Sequence, residues 1–173
     1  MSDKHLVWVQ LPLAGLRIEK IMANYDFKSD LPVAKKTEKD TSNILINKFD
    51  LKILGYNDDY RYDVLVETKK GRKIKIEIKE DFYCEKSGNV ALEYESRGFN
   101  SGISHTEAEL YIYRIHEPNG KISYCCIKTS TLMKMITGKK YFRMVVGGDV
   151  GSDTKNYLFK LNIFKNNAEI CFY

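Results

Sequence analysis

Long apolar runs are missing from this 173-residue sequence. No stretch approaches the ~18–20 residues that a bilayer-spanning helix needs. No membrane partner is therefore expected. The first residues, Met1-Ser2-Asp3-Lys4-His5, lack a basic region followed by an apolar core and a small-residue cleavage site, so no signal peptide is expected. Cysteine is scarce too: Cys84, Cys125, Cys126 and Cys171 form no Cys-x-x-Cys pair. Adjacent Cys125 and Cys126 cannot easily bond to each other. The expectation is reduced, mostly buried thiols in a cytoplasmic protein. The three histidines, His5, His105 and His116, lack metal-ligand spacing. No Gly-x-Ser-x-Gly, Walker loop or Rossmann glycine pattern occurs, which removes the commonest nucleotide and serine-hydrolase readings. Repeats, low-complexity tracts and linkers are likewise absent.

What is present is an ordinary globular composition, 43% hydrophobic with a net charge of +5. The length suits one domain with a real core. A pI near 8.9 permits a polyanionic partner without demanding one. Basic residues gather at Lys35-Lys36, from Lys69 through Lys75, and at Lys139-Lys140 with Arg143. Converging in space, these clusters would track phosphates; apart, they are solvated turns.

Residues 1–33 are the least readable, with Leu6-Val7-Trp8-Val9 ended by Pro12 and a helical turn over Leu16–Met22. Lys35–Phe49 predicts a helix with Thr37 as N-cap. Gly55 and Asn57-Asp58-Asp59 read as a turn. Alternation predicts strands over Tyr60–Ile78, Val90–Glu95, Leu110–Ile115 and Ile122–Ile127, then a final strand over Tyr157–Phe164. Glu107-Ala108-Glu109 reads as a short helical turn, and Thr131–Ile136 as a helix capped by Thr129 or Ser130 and stopped near Gly138. Val145–Asp149 ends a strand at a turn. Tyr111 and Tyr113 share a strand face and read as packing more than as base-stacking groups. The sum is a mixed α/β domain spanning 1–173, with a central sheet flanked by helices.

Strand parity singles out Asp63 and Glu77. Val64 and Val66 share a face with Ile74, Ile76 and Ile78 only if opposed positions have an even sum. That requires an odd-numbered loop, such as three residues around Gly71, where glycine adopts positive φ. With Val64 facing Ile76, Glu67 pairs with Lys73, a favourable contact, while Asp63 faces Glu77, an unfavourable one. Two opposed carboxylates need compensation. A bound Mg²⁺ supplies it, and Lys79 on the same face adds to it. The plainer reading is a splayed, solvated pair at a sheet edge. Parity, spacing and the adjacent lysine together favour the metal site.

The set Asp63 with Glu77-Ile78-Lys79 resembles the PD-(D/E)XK nuclease superfamily, in which an acid opens one strand and Asp/Glu-x-Lys follows on the next. Tyr62 stands where that family has proline. Gly88–Gly98, Ser101-Gly102-Ile103, Thr106–Glu109 and Val145–Asp149 are similar to small phage-type or virus-type members, including those that act on Holliday junctions. The resemblance covers roughly 35–165. It implies a restriction-endonuclease-like core and a metal-dependent endonuclease acting on duplex or branched DNA. Asp63 and Glu77 would hold Mg²⁺ or Mn²⁺, with the Ile78 carbonyl as a third ligand. Lys79 would orient the attacking water, and Glu38 would hold a metal-bound water or second cation. Glu93 or Glu95 would extend the acidic site or lie on a solvated face. Ser96, Arg97 and Ser101, with the basic turn Lys69-Lys70-Gly71-Arg72, are candidates for nucleic-acid contacts. Small members often pair as homodimers. The rival readings are a non-cleaving nucleic-acid-binding or protein-interaction module on the same fold, and a β-rich protein whose acid pair is accidental.

Overall fold

A computed structural model describes residues 19–20, 27–57, 61–147 and 152–173. The elements begin with β1 (Glu19–Lys20), α1 (Phe27–Phe49), β2 (Lys52–Tyr56), β3 (Val64–Glu67), β4 (Lys73–Asp81) and α2 (Cys84–Ser87). Next come β5 (Asn89–Ser96), β6 (Phe99–Asn100), a 3₁₀ turn (Gly102–Ser104), β7 (Leu110–His116) and β8 (Ile122–Lys128). The chain closes with α3 (Thr129–Thr137), β9 (Arg143–Gly147), β10 (Thr154–Lys160), α4 (Leu161–Asn167) and β11 (Ile170–Phe172).

The fold class is α/β with a mixed central sheet. Six strands run in the order β11-β8-β7-β4-β3-β2, and the β4–β7 pair is parallel while its neighbours are antiparallel. The two faces of the sheet meet two different cores, and alternation along β4 sends its isoleucines to one of them. Ile76 and Ile78 pack with Val64, Val66, Ile112 and Leu45 of α1. On the other face Tyr111, Tyr113 and Ile115 meet Val90, Leu92, Phe159, Leu132 and Phe164. Helices therefore cover only one face by themselves. A second sheet, β1-β9-β10-β5-β6, with α3 and α4, covers the other, because Val90, Leu92 and Phe159 need a partner surface. Both tyrosines, Tyr111 and Tyr113, are core residues.

Several local expectations change. Helix α1 already starts at Phe27, so Thr37 lies inside it; its hydroxyl donates to Glu80 of β4 instead of capping. Gly55 sits within β2, where the register shifts between Ile53 and Gly55, marking a bulge where a turn was expected. The Glu107–Glu109 segment is irregular, with a bend at Glu109, and the tight turn falls earlier, at Gly102–Ser104. α3 begins at Thr129 with Lys128 at its N-cap, and the Thr129 hydroxyl donates 2.5 Å to the Ala108 carbonyl. β10 stops at Lys160. Leu161 and Phe164 then take helical spacing, and this turn inserts Phe164 into the core. Glu19–Lys20 form a strand beside β9; the rest of Leu16–Met22, and Leu6–Val9 with Pro12, lie outside the described residues.

The cysteines depart most from expectation. Cys125 and Cys171 form a disulfide, because antiparallel pairing of β8 with β11 sets them directly opposite each other. Cys84 and Cys126 are free and buried. Among the described residues no helix is long and apolar enough to cross a membrane.

Candidate active site

The β3–β4 hairpin closes in the expected register, with Val64 opposite Ile76 and Glu67 opposite Lys73. Thr68 N–H donates 2.9 Å to the Arg72 carbonyl, and Gly71 N–H donates 2.9 Å back to Thr68. Three residues, Lys69-Lys70-Gly71, remain in the loop, and Gly71 has φ +75°. The loop is odd-numbered, so the even sum holds as far as Val64 and Ile76; just beyond, the Asp63 N–H donates 2.9 Å to the Ile76 carbonyl and its carboxyl lies within reach of the Glu77 charge. There β3 has ended, and the Ile78 N–H has no strand carbonyl to meet. Asp63 Oδ2 accepts it at 2.6 Å. Asp63 thus serves as a side-chain extension of the ladder while its second oxygen, Oδ1, keeps no hydrogen-bond partner among the described residues.

Glu77 is buried, only 5% exposed, and its Oε1 lies 2.7 Å from the Lys79 ammonium. Lys79 keeps 42% of its side-chain surface open, so it reaches from a buried carboxylate toward solvent. Burial, then the Glu77 charge, pushes the Asp63 carboxyl up to about 7; Lys79 and the Ile78 N–H work against this, and Glu38 adds to it. Desolvation opposes the Lys79 charge, but Glu77 and Asp63 together hold the ammonium above its ordinary range, with Glu93 contributing. Once Asp63 is ionised, above about pH 7, two acids against one base leave a net negative charge in a partly dehydrated notch. That imbalance fits a cation, and Oδ1 of Asp63 and Oε2 of Glu77 are the oxygens able to take one. Among the described residues no three His, Cys, Asp or Glu side chains converge on one point. Mg²⁺ does not require that: it binds through one or two carboxylates, several waters and substrate phosphates.

Glu38, half-buried on α1, is near enough to raise the Asp63 carboxyl. Ile78 is buried and spends its N–H on Asp63. Glu93 and Glu95 part company. Ser101 donates its hydroxyl to Glu93, which also acts on Lys79; Glu95 is paired with Lys155 at 2.5 Å. Ser101 is therefore a support for Glu93. Ser96 Oγ lies 3.2 Å from Thr154 Oγ1. Arg97 forms the β5–β6 turn with φ +53°, its N–H bonded to Ser152 O at 2.7 Å and its side chain exposed.

Lys69, Lys70 and Arg72 lie at the opposite end of the hairpin, about five to six strand steps or ~16–20 Å from the acid pair. Lys69 is paired with Asp50, and Arg72 with Glu109 at 2.6 Å. Lys35-Lys36 lie some fourteen helical residues, roughly 21 Å, before the α1 terminus that abuts this turn. The hairpin turn and the Lys35-Lys36 pair therefore do not converge on each other; Lys35 and Lys36 lie within one helical turn of Glu38, which acts on Asp63. Sequence reasoning missed Glu107, which bonds Arg61 at 2.8 Å and Lys75 at 2.5 Å and so ties the loop before β7 to the entrance of β3. These cations draw its carboxyl below the ordinary range. No periodicity marks such a residue. His105 is exposed at the end of the 3₁₀ turn.

The class defined so far is an α/β domain with a paired-carboxylate and lysine notch at the end of a short hairpin. Compared with known proteins, the chain matches no family model and no curated protein.

Proposed function

We propose that this protein is a divalent-metal-dependent nuclease with a restriction-endonuclease-like core of PD-(D/E)XK type, hydrolysing phosphodiester bonds in DNA. One observation carries the reading: just past the end of the β3–β4 ladder the Asp63 carboxyl lies within reach of the Glu77 charge, and the Lys79 ammonium is 2.7 Å from Glu77. An accidental acid pair on a sheet edge would splay into water. Here Glu77 is buried, and Asp63 is fixed by a backbone N–H.

Asp63 and Glu77 would hold Mg²⁺ or Mn²⁺, with the Ile78 carbonyl beside them. When bound, such an ion polarises a phosphoryl oxygen and lowers the pKa of an attacking water. Lys79, anchored at one side by Glu77, orients that water and meets the negative charge that develops on the phosphate. Glu38 receives a proton or a water at the α1 side of the notch. Asp63→Ala and Glu77→Ala, checked for folding by circular dichroism, should each lower Mg²⁺-dependent cutting of plasmid or four-way DNA by about 10²–10³ or more. Cutting retained by both variants rejects the assignment. Metal-dependent DNA binding without any cutting by the parent chain favours the non-cleaving module.

A further inference from the structure

Between Glu117 and Asp149 the sequence has no acidic residue, against six basic ones. The fold gathers the later members of this segment on one rim of the second sheet. Lys139, Lys140 and Phe142 lead from α3 into β9, and all three are exposed. The Phe142 N–H is fixed by the Leu158 carbonyl at 2.6 Å. Lys160, at the end of β10, holds its ammonium 3.9 Å from the centre of the Phe142 ring, and the Arg143 guanidinium lies 5.4 Å from it. Phe142 nevertheless remains 53% exposed. Lys134, one turn earlier on α3, is also exposed.

This cluster contrasts with the hairpin turn, whose Lys69 and Arg72 are paired with acids. None of Lys134, Lys139, Lys140 and Lys160 forms an ion pair among the described residues; Lys140 reaches only the neutral Asn167, at 3.0 Å. A rigid exposed ring among unneutralised ammonium groups is the arrangement that takes single strands: bases stack on the ring, and cations follow the phosphates. A membrane surface would ask for several aliphatic side chains at this rim, and an acidic protein would leave the ring unused. In the sheet, Val145 lies in the row of Asn156 and Glu93. Phe142 is three residues further along and two strands across, about 14 Å from Glu93, a gap that a short single strand can bridge.

We propose that Phe142, with Lys139, Lys140 and Lys160, forms a binding surface for single-stranded nucleic acid. Its role as the path of a strand leaving the acid pair rests on the nuclease reading; its binding does not. The test is fluorescence anisotropy of a labelled oligothymidylate with the full chain in EDTA, where no cleavage occurs. Phe142→Ala and Phe142→Leu should each weaken binding about tenfold. Replacing Lys139, Lys140 and Lys160 together by Gln should flatten the slope of log affinity against log salt by about 2, while Lys128→Gln, at a lysine already paired with Glu169, leaves affinity and slope in place. Unchanged affinity in both Phe142 variants, an unchanged slope in the triple variant, or binding of duplex alone overturns the proposal. Phe142-dependent binding by a chain that never cuts would leave this surface standing and remove the nuclease reading. Cutting by a chain whose affinity ignores Phe142 would do the reverse.

Discussion

Asp63 titrates where an ordinary aspartate is already fully ionised. Its value of about 7 stands against the usual 3.8, raised by burial and then by Glu77. Between those two values the native state holds a proton that the unfolded chain has released. Stability therefore falls as pH rises through this window, and above about 7 the full deficit remains. Without divalent ions, Asp63→Asn should melt above the parent at about pH 8, by a few kcal/mol in stability, and match it below about pH 4. Asn keeps an acceptor for the Ile78 N–H, so the comparison isolates charge. Calorimetry in EDTA checks this; adding Mg²⁺ should raise the melting point of the parent and not that of the variant. Cleavage at low Mg²⁺ should rise with pH through about 7, and this limb should move to lower pH as Mg²⁺ is increased, because the ion competes with the proton for the same carboxylate.

At the scale of elements, two glycines illustrate what a turn and a packed contact each demand. A Cβ at Gly102 would sit 2.4 Å from the Glu93 carbonyl oxygen and 2.9 Å from its carbon, on a residue with φ +47°. Backbone cannot yield as a side-chain tip does. Gly102→Ala should cost about 1–3 kcal/mol in thermal or urea unfolding and displace Glu93 from its bond with Ser101, weakening cleavage beyond the loss in folded fraction. Gly71 has φ +75° and open space around its Cβ direction, so Gly71→Ala should cost about 1 kcal/mol and spare activity. The hairpin was legible because parity and charge pairing act between near neighbours: Val64 with Ile76, Glu67 with Lys73. The helix Leu161–Asn167 was not, because Leu161 and Ile163 prolong the alternation of Tyr157 and Phe159, and only the buried position of Phe164 reveals the change of period.

Across the whole molecule, the Cys125–Cys171 bond joins residues 46 apart and fastens β11 to the central sheet. Cys171→Ser, or reduction of the parent, should lower stability by about 2–4 kcal/mol, read as a lower denaturant midpoint. The other two thiols are poor nucleophiles: burial pushes Cys84 up to about 12 and Cys126 up to about 11. Mass spectrometry after alkylation of the native oxidised protein should find neither labelled, and both labelled once urea has unfolded it.

By itself the sequence determined the hairpin, its odd loop, and the encounter of Asp63 with Glu77 and Lys79, since alternation has a fixed period and a one-residue slip would expose every valine and isoleucine. Tertiary structure alone decided which charges meet. It committed Lys69 and Arg72 to acids, left Lys139, Lys140 and Lys160 without them among the described residues, brought Glu93 and Ser101 together near Lys79, and set Cys171 against Cys125. Those contacts join segments far apart in the chain, and their geometry follows from how two sheets and a helix pack, which no local pattern encodes.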